Sequence, residues 1–222
     1  QILRFQFGPN KYLRKELLWP YLDELTQNLI QHYQKYENKP NYIHAHYADA
    51  GYVGLRLSQV LKVPFIFTGH SLGREKKRKL LETGLKINQI EKLYFISKRI
   101  NAEEEALKYA DIVVTSTKQE SEYQYSQYHS FSFEKSSVIA PGVDHNKFHH
   151  VHSTTETSEI DNLMIPFLKD SRKPPLLAIS RAVRRKNIPA LIDTFGRSPV
   201  LQQRHNLILI LGCREDARYL EK

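Results

Sequence analysis

Histidine, hydroxyl and basic side chains are concentrated in two loops, each of which follows an apolar run of residues. The first loop, Thr68 to Gly73, carries His70 and Ser71 and leads directly into the basic run Arg74 to Lys79. The second loop, Arg181 to Lys186, has a cation at each end. Cations bind phosphate through charge-assisted hydrogen bonds, and glycines such as those of the first loop let a backbone approach a ligand closely. These residue types favour an anionic sugar or a nucleotide over an apolar ligand.

The first loop belongs to a strand, helix, strand unit that we predict for residues 41–81. Tyr42 to Ala45 and Val63 to Phe67 are short apolar runs typical of strands, and the apolar residues between them recur at helical spacing. Such a unit builds a parallel sheet, and open parallel sheets bind ligands at the carboxyl ends of their strands. We expect the first strand to end in a loop as well, Tyr47 to Gly51, at the same edge of the sheet.

The rest of the first half also shows regular periodicity. It predicts a helix from Pro20 to Tyr33, a long helix from Ile87 to Leu107, a strand from Ile112 to Ser116, a polar helix from about Lys118 to Gln127 and a strand from Ser136 to Ala140. On the long helix we expect Ile90, Leu93 and Ile96 to face inward. The acidic run Glu103 to Glu105 is interpreted as a solvated face.

A second unit of the same organisation is predicted after a polar stretch. His145 to Pro174 is rich in His, Ser, Thr, Glu and Asp without clear periodicity, which is typical of a linker. Leu176 to Ser180 and Leu207 to Leu211 are predicted strands, and Asn187 is placed to cap the helix between them. The fold class is therefore α/β with parallel sheets, divided into a first domain over residues 1–150, a linker over 151–173 and the start of a second domain over 174–222.

The second basic loop lies at the carboxyl end of the first strand of that unit. The spacing from Arg181 to Lys186 lets both cations reach one diphosphate. A helix N-terminus directly after this loop favours phosphate as well, because its free N–H groups and its dipole attract negative charge.

The composition indicates a folded protein with an anionic partner. The 222 residues are 41% hydrophobic and 11% aromatic, which excludes a disordered chain, and no apolar run is long enough to mark a transmembrane helix. Thirty-three basic against 24 acidic residues give a formal charge of +9. Nucleic acid, an anionic membrane surface and phosphorylated metabolites all fit that charge. The single cysteine, Cys213, excludes an intramolecular disulfide and is typical of a reducing compartment such as the cytoplasm.

The histidines are not arranged like a metal site in the sequence. His44 and His46 lie on one face of the first predicted strand, and we expect them to line a ligand cleft rather than to bind a metal. The polar stretch contains His145, His149, His150 and His152. A flexible polar loop is the better interpretation of that stretch, because neither cysteine nor a rigid element accompanies these side chains. We therefore expect neither a metal nor a cofactor.

Several motifs follow one another along nearly the whole chain. They are GPNKYLRKELLWP at 8–20, IHAHYADAG at 43–51, FTGHSLGR at 67–74, RINAEE at 99–104, TSTKQE at 115–120, APGVD at 140–144 and AISRAVRRKNIPALIDTFG at 178–196. In this order they resemble the sucrose-phosphate synthase family, whose near kin is sucrose synthase. FTGHSLGR together with HYADAG is specific, whereas the Ser-Arg-x4-Lys-Asn loop alone indicates only the wider class of retaining, two-domain glycosyltransferases. The resemblance implies a GT-B fold of two Rossmann-like domains, a UDP-glucose donor and a fructose 6-phosphate acceptor.

The resemblance also implies roles for the residues at matching positions. Arg181 and Lys186 match the family's cations on the UDP diphosphate, and His70 matches the active-site histidine beside the transferred glucose. The positions that match the fructose 6-phosphate side are Lys15, Tyr47, Ser71, Lys76 and Arg99. The family's donor loop usually has a sequence like Ser-Arg-Pro-Asp-x-Lys-Asn, whereas Ala182 to Arg185 stands between the two cations here. We expect a loop of different shape with the same role.

The resemblance implies that the first domain is the acceptor side and the second domain the donor side of a glucosyltransferase. Glucose would pass to the 2-hydroxyl of fructose 6-phosphate, giving sucrose 6-phosphate and UDP with retention and without a required metal. The family's Gly-rich loop is expected before residue 1 and its pair of glutamates after residue 222. We therefore expect the chain to be a piece of a longer protein and to be inactive by itself.

Two alternatives stay open. A sucrose synthase that accepts free fructose would use the same chemistry. A basic domain that binds nucleic acid or a protein partner is the alternative from another class. We disfavour nucleic acid and membranes as partners, because the basic residues cluster in loops after strands instead of alternating with aromatic residues along one face.

Overall fold

The computed structural model describes residues 2–35, 39–149 and 159–212, in two compact units, Gln1–Asp144 and His145–Lys222. The elements of the first unit are α1 (Leu22–Lys35), β1 (Ile43–His46), α2 (Tyr47–Leu61), β2 (Phe65–Thr68), α3 (Gly73–Glu82), α4 (Ile87–Tyr94), α5 (Ile96–Tyr109), β3 (Ile112–Thr115) and β4 (Ser136–Val138). Those of the second unit are α6 (Glu159–Met164), β5 (Pro175–Arg181), α7 (Ile188–Gly196), α8 (Pro199–Arg204) and β6 (Asn206–Gly212). Cys213 and the pair His150 and His152 lie outside the described residues.

The first unit is built on a parallel sheet whose strand order, β1-β2-β3-β4, is the order of the chain. Helices connect β1 to β2 and β2 to β3, as parallel pairing requires. In the register, His46 lies opposite Thr68, so the first two strands end at the same level. The residues that follow them, Tyr47 and Gly69, therefore begin side by side at one edge.

The core of the first unit lies between one face of this sheet and the helices α2 and α5. Alternate strand residues Ala45, Phe65, Phe67 and Val113 are buried, as the two-residue period of a strand dictates. Helix α2 comes very close to the sheet at Gly51, where an added Cβ would lie 2.7 Å from the ring of Phe67. Burying one such ring stabilises the fold by roughly 1.5–3 kcal/mol.

Two predictions about the helices of this unit were wrong. The predicted loop Tyr47 to Gly51 is the first turn of α2, and the chain reverses at Tyr47 through a left-handed conformation with φ of 71°. The predicted helix Ile87 to Leu107 is broken at Phe95, whose φ is 46°.

The break at Phe95 has a packing reason. Ile90 and Ile96 are both completely buried, yet residues six apart point about 120° away from each other on a straight helix. Separating α4 from α5 lets each helix turn its isoleucine inward. Leu93, which we expected to face inward, is exposed.

The remaining elements of the first unit lie where we predicted them, but some differ in the type of helix. The predicted polar helix from Lys118 to Gln127 contains a π-helical stretch, Glu120–Gln124, followed by a 3-10 turn, Tyr125–Gln127. Ahead of α1, the chain makes two 3-10 turns, Lys15–Leu17 and Trp19–Tyr21. Pro20 lies in the first turn of the second of these, where a missing N–H costs nothing.

The second unit pairs β5 with β6 in parallel, with Ala178 opposite Leu209. The predicted strands and the predicted helix of this unit are confirmed, with α8 as an additional short helix. Asn187 precedes α7 as predicted, but its φ is 50° and its side chain accepts no capping hydrogen bond. Part of the predicted linker is helical, since α6 lies within it, and residues 151–158 lie outside the described residues.

None of the helices in the described ranges is both long enough and apolar enough to cross a lipid bilayer.

Candidate functional site

A stack of aromatic rings lies beyond the carboxyl ends of β1 and β2. Nε2 of His44 is 2.8 Å from the hydroxyl of Thr68, and Nδ1 of His46 is 2.8 Å from Nε2 of His70. The ring centroids of His46 and His70 are 5.0 Å apart, and those of Tyr47 and His70 are 4.8 Å apart. The structure therefore brings His70 and Tyr47 together, as expected for residues of one site.

This histidine cluster favours neutral imidazoles. Burial lowers the pKa of His44, and the nearby His46 and His70 lower it further. Burial and His46 likewise lower the pKa of His70, although Glu120 acts in the opposite direction. Among the residues that the structure describes, no group of three or more His, Cys, Asp or Glu side chains is arranged to hold a metal ion. The contacts of these histidines are hydrogen bonds and ring stacking.

The loop that carries His70 is fixed by side chains from distant parts of the chain. The hydroxyl of Tyr125 accepts a hydrogen bond from the backbone N–H of Gly69 (2.7 Å), and the hydroxyl of Tyr128 accepts one from Arg74 (3.0 Å). Burial raises the pKa of Tyr125 to about 12 and raises that of Tyr128 as well, so both hydroxyls keep their protons. These contacts hold His70 in a left-handed conformation, with φ of 55°, which is uncommon for a residue with a side chain.

Glu103 joins several of the groups that fix this loop. We predicted that it lies on a solvated face, and that prediction was wrong. Its side chain is fully buried and its carboxylate accepts hydrogen bonds from the backbone N–H of Gly73 (2.8 Å), from Nε of Arg99 (2.9 Å) and from the hydroxyl of Tyr128. Burial raises the pKa of Glu103, whereas Arg99 and the two other donors oppose that shift. The three donors together compensate the charge of the buried Glu103 carboxylate. Losing any of them would leave part of that charge uncompensated, so the carboxylate keeps all three hydrogen bonds.

Arg99 is a buried member of the same network. Besides Glu103, its guanidinium donates to the backbone carbonyl of Ser71. Its side chain is only 9% exposed. Arg99 and Ser71 are thus in contact, but the guanidinium faces protein groups. A role of Arg99 in acceptor binding stays a prediction.

Lys76 lies on α3 in a setting suited to an anion. Its Nζ is 4.0 Å from the ring centroid of Tyr94 and 3.4 Å from Oε1 of Glu16. Burial lowers the pKa of Lys76, and the charges of Lys15 and Arg99 lower it further while Glu16 raises it. Lys15, Lys76 and Arg99 come from three separate motifs, and Lys15 and Arg99 each lie within electrostatic reach of Lys76.

The second unit carries the other predicted pair. Arg181 is the last residue of β5, and Lys186 ends the 3-10 turn Arg184–Lys186 just before α7. The turn is closed by hydrogen bonds from Val183 N–H to the carbonyl of Arg181 and from Lys186 N–H to the carbonyl of Val183, both 2.9 Å. Both cations are exposed at one loop. Their role on a diphosphate stays a prediction.

Sequence reasoning missed several residues of the first site. Tyr125, Tyr128 and Glu16 were not singled out, and Glu103 was placed on the wrong face. One signal was present in the sequence: Glu103 follows Arg99 by four residues, which is the spacing of an ion pair on one helix face. The tyrosines gave no such signal, because they act on loops more than 50 residues away in the chain.

Parallel strands with helical crossovers, and cationic loops where the strands end, define a Rossmann-like α/β protein that binds ligands at the carboxyl ends of its strands. The family described as "Sucrose synthase first GT-B domain" matches residues 2–172. The probable sucrose-phosphate synthase of Vicia faba is 36% identical over 96% of this chain, and the sucrose-phosphate synthase of Spinacia oleracea is 34% identical over 97% of it. The chain belongs to the sucrose-phosphate synthase family. It spans 25% of the length of these two relatives.

Solved structures agree on the fold. The sucrose-phosphate synthase of Thermosynechococcus elongatus superposes with a TM-score of 0.68 at 23% identity, covering 96% of this chain and 47% of that one. The Anabaena protein HepE, solved in complex with UDP-glucose, superposes with a TM-score of 0.58 at 18% identity, covering 89% of this chain and 46% of that one. At these identities, the likeness establishes the GT-B fold.

Proposed function

We propose that the full-length protein transfers glucose from UDP-glucose to the 2-hydroxyl of fructose 6-phosphate, giving sucrose 6-phosphate and UDP with retention. The observation that carries this proposal is Lys76 on α3, whose Nζ lies 4.0 Å from the ring centroid of Tyr94, in the electrostatic field of Lys15 and of Arg99, which contacts the loop of His70 and Ser71. A phosphate dianion is bound by such a cation through charge-assisted hydrogen bonds, whereas a neutral acceptor does not need the charge. The relatives named sucrose-phosphate synthase support the same acceptor.

The donor belongs to the second unit in this proposal. HepE shares the fold and was solved with UDP-glucose, which supports the same donor here. Arg181 and Lys186 would bind the diphosphate, and their charges would neutralise it as it departs. The leaving phosphate oxygen would take the proton of the acceptor hydroxyl on the same face of the sugar, which gives retention. We propose that neither a metal nor a cofactor takes part.

His70 would lie beside the transferred glucose, with Tyr47 stacked against it and His46 bonded to it. A neutral imidazole at that place donates or accepts a hydrogen bond without adding charge next to a sugar ring. Tyr47 and Ser71 would contact the acceptor. We place this chemistry in the cytoplasm.

Sucrose synthase activity with free fructose is the second candidate, because the matching family is described by that name. Steady-state assays of the full-length protein distinguish the two, with UDP release measured for fructose 6-phosphate and for fructose. We expect turnover with the phosphorylated sugar and little with fructose. Equal turnover would assign the protein to the sucrose synthases. No transfer to either sugar, together with generic DNA binding that falls steeply with salt, would instead support a nucleic-acid-binding protein.

A further inference from the structure

Glu16 is a carboxylate placed among the cations of the predicted acceptor site. It lies in the 3-10 turn Lys15–Leu17, and its neighbours in the chain are Lys15 and, two residues earlier, Arg14. Oε1 of Glu16 is 3.4 Å from Nζ of Lys76, and Oε2 is 3.7 Å from Nε of Arg14. Its side chain is 12% exposed. An anion of the protein itself therefore already lies between Lys76 and Arg14.

The geometry of this ion pair differs from that of the structural ion pairs in the same unit. Arg99 contacts Glu103 at 2.9 Å and Arg74 contacts Glu104 at 2.7 Å, distances typical of strong charge-assisted hydrogen bonds. The separation between Lys76 and Glu16 is longer by half an ångström or more. Glu16 is thus close enough to attract Lys76 and too far to form an optimal hydrogen bond with it.

We propose that Glu16 is an internal competitor for Lys76, which the phosphate group of the acceptor must displace. A phosphate dianion carries more charge than the carboxylate and offers three acceptor oxygens, so it replaces Glu16 on the lysine. A neutral sugar has no charged group that could replace the Glu16 carboxylate on Lys76. Glu16 therefore sets the affinity of the site for phosphorylated ligands and makes the site depend on their charge. This inference rests on the proposed function for the identity of the sugar, but only its phosphate enters the argument.

The competition predicts a gain of affinity, which the loss of a merely structural contact would not give. Glu16→Gln keeps the size of the side chain and removes its charge. In the full-length protein, we expect the variant to bind both inorganic phosphate and fructose 6-phosphate roughly threefold to fivefold more tightly, measured by isothermal titration calorimetry. Binding of neutral fructose should not tighten. Thermal unfolding of the variant serves to confirm that it is folded.

A matched control separates competition from a general change of charge. Glu75 precedes Lys76 directly and pairs instead with Arg78 (2.7 Å) and Lys79 (3.1 Å). Glu75→Gln removes the same charge from the same region, and we expect it to leave the phosphate affinity unchanged. In a Lys76→Ala background, the gain from Glu16→Gln should also shrink, since the two residues act on each other.

The outcomes separate this inference from the proposed function. Unchanged or weaker phosphate binding by Glu16→Gln would overturn the competition, whichever sugar the enzyme uses, and a gain equal to that of Glu75→Gln would overturn it as well. If neither protein binds phosphate or its sugar ester, Glu16 has nothing to compete with and the inference fails. If inorganic phosphate binds more tightly to the variant but fructose 6-phosphate is not a substrate, the competition stands and the proposed function falls.

Discussion

Nδ1 of His46 and Nε2 of His70 lie 2.8 Å apart, so one hydrogen bond joins the ends of two neighbouring strands. Two ring nitrogens form such a bond only when one carries a proton and the other does not. At least one of the two imidazoles is then neutral. The lowered pKa of His70, caused by burial and by His46, agrees with this arrangement.

Our first prediction concerns the protonation of this cluster. In the full-length protein, we expect His44 and His70 to titrate below the ordinary histidine pKa of 6.5, because burial and neighbouring imidazoles oppose their charged forms. The ring signals in NMR spectra recorded against pH measure this directly, with His44→Gln and His70→Gln to assign them. A titration midpoint at or above 6.5 for His70 would contradict the arrangement.

The lowered pKa values of His44 and His70 also determine how the free energy of unfolding changes with pH. A pKa that is lower in the folded chain than in the unfolded chain means that the unfolded chain binds the proton more tightly. The stability contributed by these groups is complete above pH 6.5 and is lost as the pH falls through that value towards the folded pKa. We expect the urea midpoint of His44→Gln to fall less between about pH 7.5 and about pH 5.5 than that of the wild type.

The second prediction concerns the acceptor. Lys76→Ala in the full-length protein should weaken fructose 6-phosphate by roughly 1.5–3 kcal/mol, the value of a hydrogen bond to a charged group, and should change the affinity for UDP-glucose far less. Lys79→Ala is the matched control, because Lys79 belongs to the same basic run but its side chain is 67% exposed and pairs with Glu75. Similar losses in both variants would mean that overall charge, and not a defined contact, binds the acceptor.

The third prediction concerns the donor. Lys186→Ala should lower turnover by roughly 100-fold or more, as for the loss of one electrostatic donor to a developing charge, while the affinity for fructose 6-phosphate changes little. Arg181→Lys should also be impaired, since lysine lacks the planar fork of arginine. Arg185→Ala, in the same 3-10 turn, is the control. If Lys186→Ala kept its turnover and raised only the Michaelis constant for fructose 6-phosphate, this loop would bind the other substrate.

The fourth prediction compares two acidic residues of α5. Glu103 is fully buried, and its removal leaves Arg99 as an uncompensated charge, so Glu103→Ala should lower the free energy of unfolding by roughly 3–5 kcal/mol. Glu105 is half exposed and pairs with Arg56 at 3.3 Å, so Glu105→Ala should cost at most about 1 kcal/mol. Denaturant titrations of both variants test the difference. Equal costs would show that the buried network carries no special stability.

The sequence predicted the strands of the sheet better than it predicted the hydrogen bonds around Glu103. Apolar runs located β1, β2 and β5 to within two residues, because short apolar runs bounded by turn residues are typical of parallel strands. The spacing of four residues between Arg99 and Glu103 indicates an ion pair, but it does not show that the pair is buried, because that depends on the direction of α5 after the break at Phe95.

Long-range contacts explain the other omissions. Glu16 and Lys76 are separated by 60 residues, and Gly69 and Tyr125 by 56, so no local pattern links them. The first turn of α2 was mistaken for a loop because Tyr47 to Gly51 consists of small and polar residues. In the structure, this turn packs through Gly51 on Phe67 of the next strand, a contact that the local sequence does not show. Such tertiary contacts override local propensity.

The order of strands in the first sheet also bears on how the protein is synthesised. Since β1, β2, β3 and β4 are adjacent in the same order in which the ribosome makes them, each pairing becomes available as soon as the second strand of the pair has emerged. Among the four strands that the structure describes in this sheet, none has to wait for a distant partner or be displaced to admit a later one. Domains fold as units from the N-terminus during translation, at about 5–20 residues per second. We therefore expect these four strands to pair in the order β1 to β4 on the ribosome, with the edge of β3 open until β4 (Ser136–Val138) has been released.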